Sequence, residues 1–266
     1  MRLVFACALL HALLCIPAAS LAESADTASL TLKAYLVYDV TTERVVAELN
    51  REHEQPVASL TKLMTAVLTC ERLRFDGRYV LTEAEQKTFG VTTMRADKML
   101  ELMLVPSNNS ICRVVARIAC GGEDAFAAQM NAKARQLGLA DTRYVNSTGL
   151  PKQGQYSTLD DVLLLTRVAL TYPRIRRVIG MNETTLAGHK YEGTLKPLYD
   201  RHPALVGGKT GYTRAAGRCL VLLYSTGGHD YIVVTLGSKD VDSGFRDAEI
   251  LLKQHGLHSG EVGSWE

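Results

Sequence analysis

The order of apolar and polar residues divides this chain into strands near both ends and helices between them. Short apolar runs bounded by turn residues predict strands at 34–38, 45–47, 206–212, 219–224 and 231–237. Apolar residues at three- and four-residue spacing predict helices at 59–74, 98–105, 111–119, 123–137, 159–172 and 245–254. Elements segregated in this way predict an α+β fold, in which the strands form one antiparallel sheet around a mainly helical insertion at about residues 59–180.

The first 22 residues have the pattern of a secretory signal peptide. Arg2 precedes an almost wholly apolar run at 3–16, and the small residues after it suit cleavage behind Ala22. The run is shorter than the roughly 20 residues that a membrane-spanning helix needs, although a buried N-terminal element is an alternative. We therefore expect a periplasmic or otherwise exported protein, soluble or loosely membrane-associated, with one folded domain at 23–257 and a polar tail at 258–266.

Composition and cysteine content narrow the classes of function. The formal charge is +2 and the basic residues are scattered, so we expect no nucleic-acid partner. No histidines and cysteines have metal-ligand spacing, so we expect no metal and no cofactor. Signal cleavage would leave four cysteines, which are Cys70, Cys112, Cys120 and Cys219. They allow three disulfide pairings, and small buried thiols are an equally good interpretation.

A serine and a lysine three residues apart open the first predicted helix. Residues at this spacing share one helix face, so we expect Lys62 beside the Ser59 hydroxyl. A serine becomes a strong nucleophile when a base takes its proton, and a lysine is such a base only when neutral. Burial and a second cation both lower a lysine pKa. We therefore predict Ser59 as nucleophile, Lys62 as its base and the Ser59 N–H as an oxyanion donor.

The second motif, Ser107-Asn108-Asn109, follows Pro106 and directly precedes a predicted helix. A loop at that place projects side chains into a cleft. We expect Ser107 to relay a proton and Asn109 to hold a substrate amide. Taken alone, such a sequence is common and is equally typical of a polar loop.

The third motif, Lys209-Thr210-Gly211, is rarer and lies on a predicted edge strand. The Lys209 ammonium and the Thr210 hydroxyl suit a substrate carboxylate, while Gly211 permits close approach of the backbone. We expect the N–H of Tyr212 to be the second oxyanion donor.

In this order, the three motifs resemble those of penicillin-binding proteins and class A β-lactamases. The likeness continues at 58–65, 131–138 and 209–217, and it covers roughly residues 30–255. The chain is identified as a member of the low-molecular-mass penicillin-binding proteins, which are serine D-alanyl-D-alanine carboxypeptidases and endopeptidases. The resemblance implies a β-lactamase-like sheet flanked by helices, an acyl-enzyme at Ser59, peptidoglycan stem peptides as substrates and β-lactam antibiotics as covalent inhibitors.

Some positions depart from that family's pattern. Asn108 stands where glycine is common, and Lys239 stands where many relatives carry arginine. Lysine lacks the bidentate fork of arginine, so the role of Lys239 is open. The chain stops soon after its last predicted helix, and residues 215–221 resemble the endopeptidase branch, which cleaves cross-links. Removal of terminal D-alanine and cleavage of cross-links both remain open.

Two other functions are alternatives to this interpretation. A class A β-lactamase shares the fold and two motifs, but it needs a glutamate followed by a nearby asparagine, which Glu183 and Glu192 lack. A catalytically silent protein that binds peptidoglycan peptides is the second alternative. Rapid turnover of a chromogenic cephalosporin would favour the first, and failure to label with penicillin would favour the second.

Overall fold

The computed structural model describes residues 29–257, so the predicted signal peptide and the polar tail lie outside the described residues. The strands are β1 (Ala34–Asp39), β2 (Arg44–Leu49), β3 (Tyr79–Val80), β4 (Thr93–Met94), β5 (Glu183–Leu186), β6 (His189–Glu192), β7 (Leu205–Thr213), β8 (Gly217–Thr226) and β9 (His229–Ser238). The helices are α1 (Lys62–Arg72), α2 (Glu83–Phe89), α3 (Ala96–Leu104), α4 (Asn109–Cys120), α5 (Glu123–Leu137), α6 (Leu159–Leu170), α7 (Pro173–Ile179), α8 (Lys196–Tyr199) and α9 (Val241–Gln254). Within this range, no helix has the length and apolar character that crossing a bilayer requires.

Five strands form one antiparallel sheet, which confirms the predicted α+β fold. Their order is β2-β1-β9-β8-β7, and every neighbouring pair is antiparallel. The chain leaves the sheet after β2 for the helical region and returns through the consecutive strands β7, β8 and β9. Among the described residues β7 therefore lies at one edge of the sheet, as the sequence predicts for the strand that carries the third motif.

Both faces of the sheet are buried, and alternate residues of β8 contact different cores. Val221 and Leu223 belong to the larger apolar core, which includes residues of α1, α3 and α4. Leu220 and Leu222 belong to a smaller core together with Phe245 of α9. The short segment Ala58–Thr61, just before α1, lies against β7, so the first and third motifs come together at the edge of the sheet.

Several predicted helix ends are confirmed. Gly121 and Gly138 follow α4 and α5 with φ angles of 82° and 80°, the left-handed conformation that glycine adopts without strain. At the start of α6, the Thr158 hydroxyl caps the helix by accepting a hydrogen bond from the Asp161 N–H. Local sequence therefore defines these boundaries well.

The sequence patterns miss the shorter elements and one detail of the first helix. The segment before α1 is a short 3₁₀ helix, Ala58–Thr61, so Ser59 precedes the α-helix instead of opening it. α2 carries a capping box between Thr82 and Glu85, a signal that is visible in the sequence. The β5–β6 hairpin has no long apolar run, because most of its residues are exposed.

Candidate active site

Ser59 is held in place by two glycines from other parts of the chain. The residue before it, Ala58, has φ of 47°, a conformation that is uncommon for alanine and is imposed by its neighbours. A Cβ atom on Gly149 would lie 1.9 Å from the Ala58 carbonyl oxygen, and one on Gly211 would lie 2.8 Å from the Ser59 nitrogen. Because both positions lack a side chain, the 149 loop and β7 close directly on the serine.

The Lys62 amine is fully buried and lies among three oxygen atoms. Its Nζ is 2.8 Å from Ser59 Oγ, 2.7 Å from Asn109 Oδ1 and 2.7 Å from the Thr148 carbonyl oxygen. Burial lowers the pKa of Lys62 below its ordinary value, and the positive charge of nearby Arg113 lowers it further. The environment therefore shifts Lys62 towards the neutral form that a general base requires.

The same three contacts determine how a neutral Lys62 is oriented. A neutral amine has two N–H groups and one lone pair. The Asn109 amide oxygen and the Thr148 carbonyl oxygen can only accept hydrogen bonds, so they take the two N–H groups. The lone pair is then left for the Ser59 hydroxyl, at a distance suited to proton transfer.

The second motif occupies the bend between α3 and α4. Ser107 has φ of 60°, and its Oγ accepts a hydrogen bond of 2.8 Å from Lys209 Nζ. Asn108, at the position where relatives often have glycine, has an ordinary φ of −65° and caps α4 by accepting a hydrogen bond from the Ile111 N–H. Asparagine therefore fits this position without backbone strain.

The third motif places a second buried amine beside the first. Lys209 is fully buried, and besides Ser107 its Nζ contacts the Thr210 carbonyl oxygen at 2.7 Å. Burial lowers the pKa of Lys209 well below its ordinary value, and the charge of Lys62 contributes in the same direction. The charge of Lys62 thus disfavours protonation of Lys209, whereas the nearby cation that lowers the pKa of Lys62 is Arg113.

The remaining predicted residues lie along β7. The Thr210 hydroxyl is 2.7 Å from the Thr194 hydroxyl, and Gly211 lies against Ser59 as described. Tyr212 follows on the same strand, and it is 43% exposed. The structure thus brings the three motifs together at the sheet edge, with Ser59 against Lys62 and Gly211 and with Ser107 against Lys209. Lys239 lies apart from them, exposed after the end of β9, two strands and about 10 Å from β7.

Sequence reasoning missed two contributors to this cleft. The Thr148 carbonyl oxygen contacts Lys62, and its loop is shaped by the Asn146 side chain, which accepts hydrogen bonds from the N–H groups of Thr148 and Gly149. Thr194 links the segment just before the second motif to the third motif, since its N–H donates to the Val105 carbonyl at 3.2 Å and its hydroxyl accepts a hydrogen bond from Thr210. A backbone carbonyl carries no sequence signal, and a lone threonine carries a weak one.

The structure also bears on the cysteines. All four cysteines of the described part of the chain are free thiols. Cys112 is buried near Lys62 and Lys209, and burial raises the pKa of its thiol to about 11. These thiols therefore behave as small buried or half-buried side chains.

The two glutamates considered for a β-lactamase are also accounted for. Glu183 and Glu192 lie opposite each other on the exposed β5–β6 hairpin. Glu183 pairs with Lys190, and Glu192 pairs with Lys196. Both are engaged in surface ion pairs, an arrangement that suits a solvated hairpin and not the activation of a water at Ser59.

Comparisons with known proteins agree with this geometry. The sequence model of the peptidase S11 family, described as D-alanyl-D-alanine carboxypeptidase, matches residues 21–240. A D-alanyl-D-alanine endopeptidase from Pseudomonas aeruginosa is 31% identical over 245 residues, which cover 85% of this chain and 77% of that protein. The D-alanyl-D-alanine carboxypeptidase DacB2 from Mycobacterium tuberculosis is 28% identical, with 77% of this chain and 74% of that protein covered.

A solved structure gives the same result. Penicillin-binding protein D2 from Listeria monocytogenes, in its cefotaxime-bound form, has a TM-score of 0.75 and 28% identity, covering 84% of this chain and 96% of that one. Some relatives are longer: the chain spans 57% of the carboxypeptidase DacF from Bacillus subtilis and 62% of DacC from Escherichia coli. The family model covers most of the sequence, and the chain therefore belongs to the D-alanyl-D-alanine carboxypeptidase family of serine peptidases.

Proposed function

We propose that this protein is a serine D-alanyl-D-alanine peptidase that cleaves peptidoglycan stem peptides through an acyl-enzyme at Ser59. The observation that carries the proposal is the buried Lys62 amine, 2.8 Å from Ser59 Oγ, whose other two contacts are carbonyl oxygens. The names of the relatives, which are carboxypeptidases and endopeptidases for D-alanyl-D-alanine, support this class of substrate.

In the acylation step, Ser59 Oγ attacks the carbonyl carbon of the penultimate D-alanine while Lys62 accepts the hydroxyl proton. The N–H groups of Ser59 and Tyr212 stabilise the resulting oxyanion, a role supported by the close approach of Gly211 to the Ser59 nitrogen. The peptide C–N bond then breaks. The departing amine takes a proton from the Ser107 hydroxyl, which is hydrogen-bonded to Lys209. Ser107 regains a proton from protonated Lys62, and Lys62 thereby returns to its neutral form before the ester is hydrolysed.

Two residues of β7 suit the leaving group, since Lys209 and Thr210 bind the carboxylate that lies next to the departing amine. On the acyl side of the scissile bond, Asn109 holds the substrate amide. A water molecule then hydrolyses the ester at Ser59, with Lys62 as the base that activates it. Terminal D-alanine and a cross-linked residue both present such a carboxylate, so this chemistry serves carboxypeptidase and endopeptidase reactions alike.

We also propose that the protein is exported, with residues 1–22 removed and residues 23–257 forming one peptidase domain. The apolar run and small residues at the N-terminus support export, and so does a substrate that lies outside the cytoplasm. Mass spectrometry of the secreted chain should find Glu23 as its first residue. An N-terminus that retains residues 3–16 would contradict this part of the proposal.

Labelling with a fluorescent penicillin tests the nucleophile. Ser59→Ala should abolish covalent labelling, because no other hydroxyl lies beside the Lys62 lone pair among residues 29–257. Ser110→Ala, which changes another serine close to the second motif, should leave labelling intact. Labelling of the Ser59→Ala protein at another residue would contradict the assignment.

The products distinguish the two peptidase reactions from a silent binding protein. The unmodified enzyme is incubated with a pentapeptide and with a cross-linked peptide dimer, and the products are identified by mass. Loss of one alanine indicates carboxypeptidase activity, and separation of the dimer indicates endopeptidase activity. A protein that labels at Ser59 yet cleaves neither peptide would contradict the proposed peptidase function.

A further inference from the structure

A pocket of about 360 Å³ opens beside the active site, where β7 turns into β8. Thr213 and Ala215 line it on the side of the turn, and Pro56 lines it next to the serine segment. The opposite wall is the loop at 149–155, the same loop that packs on the Ala58 carbonyl through Gly149. We refer to this space as the acyl-side pocket, because of its position relative to the substrate.

The proposed substrate orientation leads towards this pocket. Lys209 and Thr210 hold the carboxylate of the leaving group, and the acylated carbonyl lies at Ser59, beside Gly211. The rest of the peptide must therefore continue along β7 in the direction of Thr213. A strand advances about 3.3 Å per residue, so Thr213 lies about 7 Å beyond Gly211. That distance spans two extended substrate residues, the acylated D-alanine and the residue that precedes it.

The lining indicates what kind of side chain fits. Pro56, Pro151 and Ala215 offer apolar surface to an alkyl chain. Lys152 is an exposed lysine in the wall, and within the described residues it makes no hydrogen bond and no ion pair. The lining residues of the described chain include no aspartate or glutamate. An unpaired cation at the end of an apolar wall favours an alkyl side chain that ends in a carboxylate.

Hydrogen bonds hold the loop at 149–155, which forms one wall of the pocket, in a fixed position. The Gln155 side chain is buried, and its Oε1 accepts hydrogen bonds from the Val145 and Asn146 N–H groups at 3.1 and 3.3 Å. Because this glutamine is anchored to the backbone of the loop that shapes the catalytic cleft, the pocket wall keeps a set position relative to Ser59. A rigid wall with one free charge suits discrimination between side chains of similar length.

We propose that the acyl-side pocket binds the side chain of the substrate residue that precedes the acylated D-alanine, and that Lys152 selects a side chain ending in a carboxylate. Diaminopimelate, whose side chain ends in an amine and a carboxylate, fits this description, whereas lysine, which ends in an amine alone, does not. The inference rests on the proposed peptidase function and adds the preferred stem peptide to it.

Two pentapeptides that differ only in this residue, meso-diaminopimelate or L-lysine, test the proposal. The unmodified enzyme should cleave the diaminopimelate peptide with a kcat/KM about fivefold higher, the size expected for one partly exposed ion pair. Lys152→Gln should bring the two values together, and Lys152→Glu should reverse their order. Lys87→Gln removes an exposed lysine at a distant site on α2 and should keep the original preference.

Covalent labelling separates this inference from the proposed function. Lys87→Gln should label with a small penicillin at the unmodified rate, and labelling of the Lys152 variants at Ser59 checks that their catalytic residues are intact. Unmodified enzyme that labels at Ser59 but cleaves both peptides equally would overturn the pocket assignment alone, as would an unchanged preference in Lys152→Gln. A protein that does not label would overturn both proposals.

Discussion

Both faces of the central sheet bury cations, but their surroundings differ. On the face towards α1 and α4, Lys62 and Lys209 lie among hydroxyl and carbonyl oxygens. On the face towards α9, Arg218 is only 7% exposed, and its guanidinium lies 4.6 Å from the centre of the Phe245 ring. Within the described residues, the Arg218 Nε has no hydrogen-bond partner.

The difference shows what makes a buried cation reactive. Burial lowers the pKa of both lysines, so a neutral amine with a free lone pair is accessible. Burial also lowers the pKa of Arg218, to about 10, but the guanidinium remains charged at neutral pH and has no lone pair to offer. The face of the sheet towards Lys62 and Lys209, here called the lysine face, can therefore move protons. The face that carries Arg218 contributes packing and a cation–π contact.

The largest expected effect is that of Lys62→Met, which keeps the length of the side chain and removes the base. Acylation by penicillin should slow by about a thousandfold, within the range that general-base catalysis contributes. The second-order rate of labelling measures this effect, and circular dichroism checks that the variant is folded. Acylation within tenfold of the unmodified rate would mean that another group takes the Ser59 proton.

The pH dependence of the unmodified enzyme provides the matching control. Because only neutral Lys62 accepts a proton, acylation should increase as the pH rises through the pKa of this amine. That pKa is lowered by burial, so the increase should occur below the pH at which free lysine titrates. In Lys62→Met, the rate of acylation should not increase over the same pH range.

An intermediate effect is expected for Thr194→Val, which removes one hydroxyl from the lysine face. The Thr210 hydroxyl donates to Thr194 Oγ1, and this contact holds the Thr210 side chain in place beside the substrate carboxylate. Loss of this acceptor should raise KM about fivefold for a peptide with a free carboxylate, as expected for one hydrogen bond of about 1 kcal/mol. Thr194→Ser should restore the KM.

A matched peptide and a distant threonine sharpen this test. A peptide with an amidated C-terminus lacks the carboxylate, so its KM should be insensitive to Thr194→Val. Thr185→Val, on the exposed β5–β6 hairpin, should leave both substrates unaffected. An equal loss for both peptides would indicate a structural role for Thr194 instead of a positioning role.

The smallest effect on activity is expected for Arg218→Met on the opposite face. Acylation should change less than twofold, because the guanidinium contacts Phe245 and none of the three motifs. The free energy of unfolding, measured by urea denaturation, should change by no more than about 2 kcal/mol, since the lost cation–π contact is offset by relief of a buried charge. A tenfold loss of acylation would show that the two faces do not differ as described.

Much of the fold could be predicted from the sequence, for local reasons. Apolar spacing predicts the five strands of the sheet and the longer helices, and Gly138 ends α5 where its pattern predicts. Short elements such as α7 and the β5–β6 hairpin were missed, because four to seven residues give too few apolar positions for a period. These elements are stabilised mainly by contacts with distant parts of the chain.

The sequence by itself determined the chemistry that this protein carries: a serine and a lysine one helical turn apart, and two further motifs that suit a peptide substrate. Only the tertiary structure decided how the base is oriented and why it can be neutral. The Thr148 carbonyl lies 86 positions from Lys62, and Thr194 lies 16 positions from Thr210. Burial and hydrogen bonds to backbone oxygens arise only when distant segments pack together, and they leave no residue pattern from which they could be inferred.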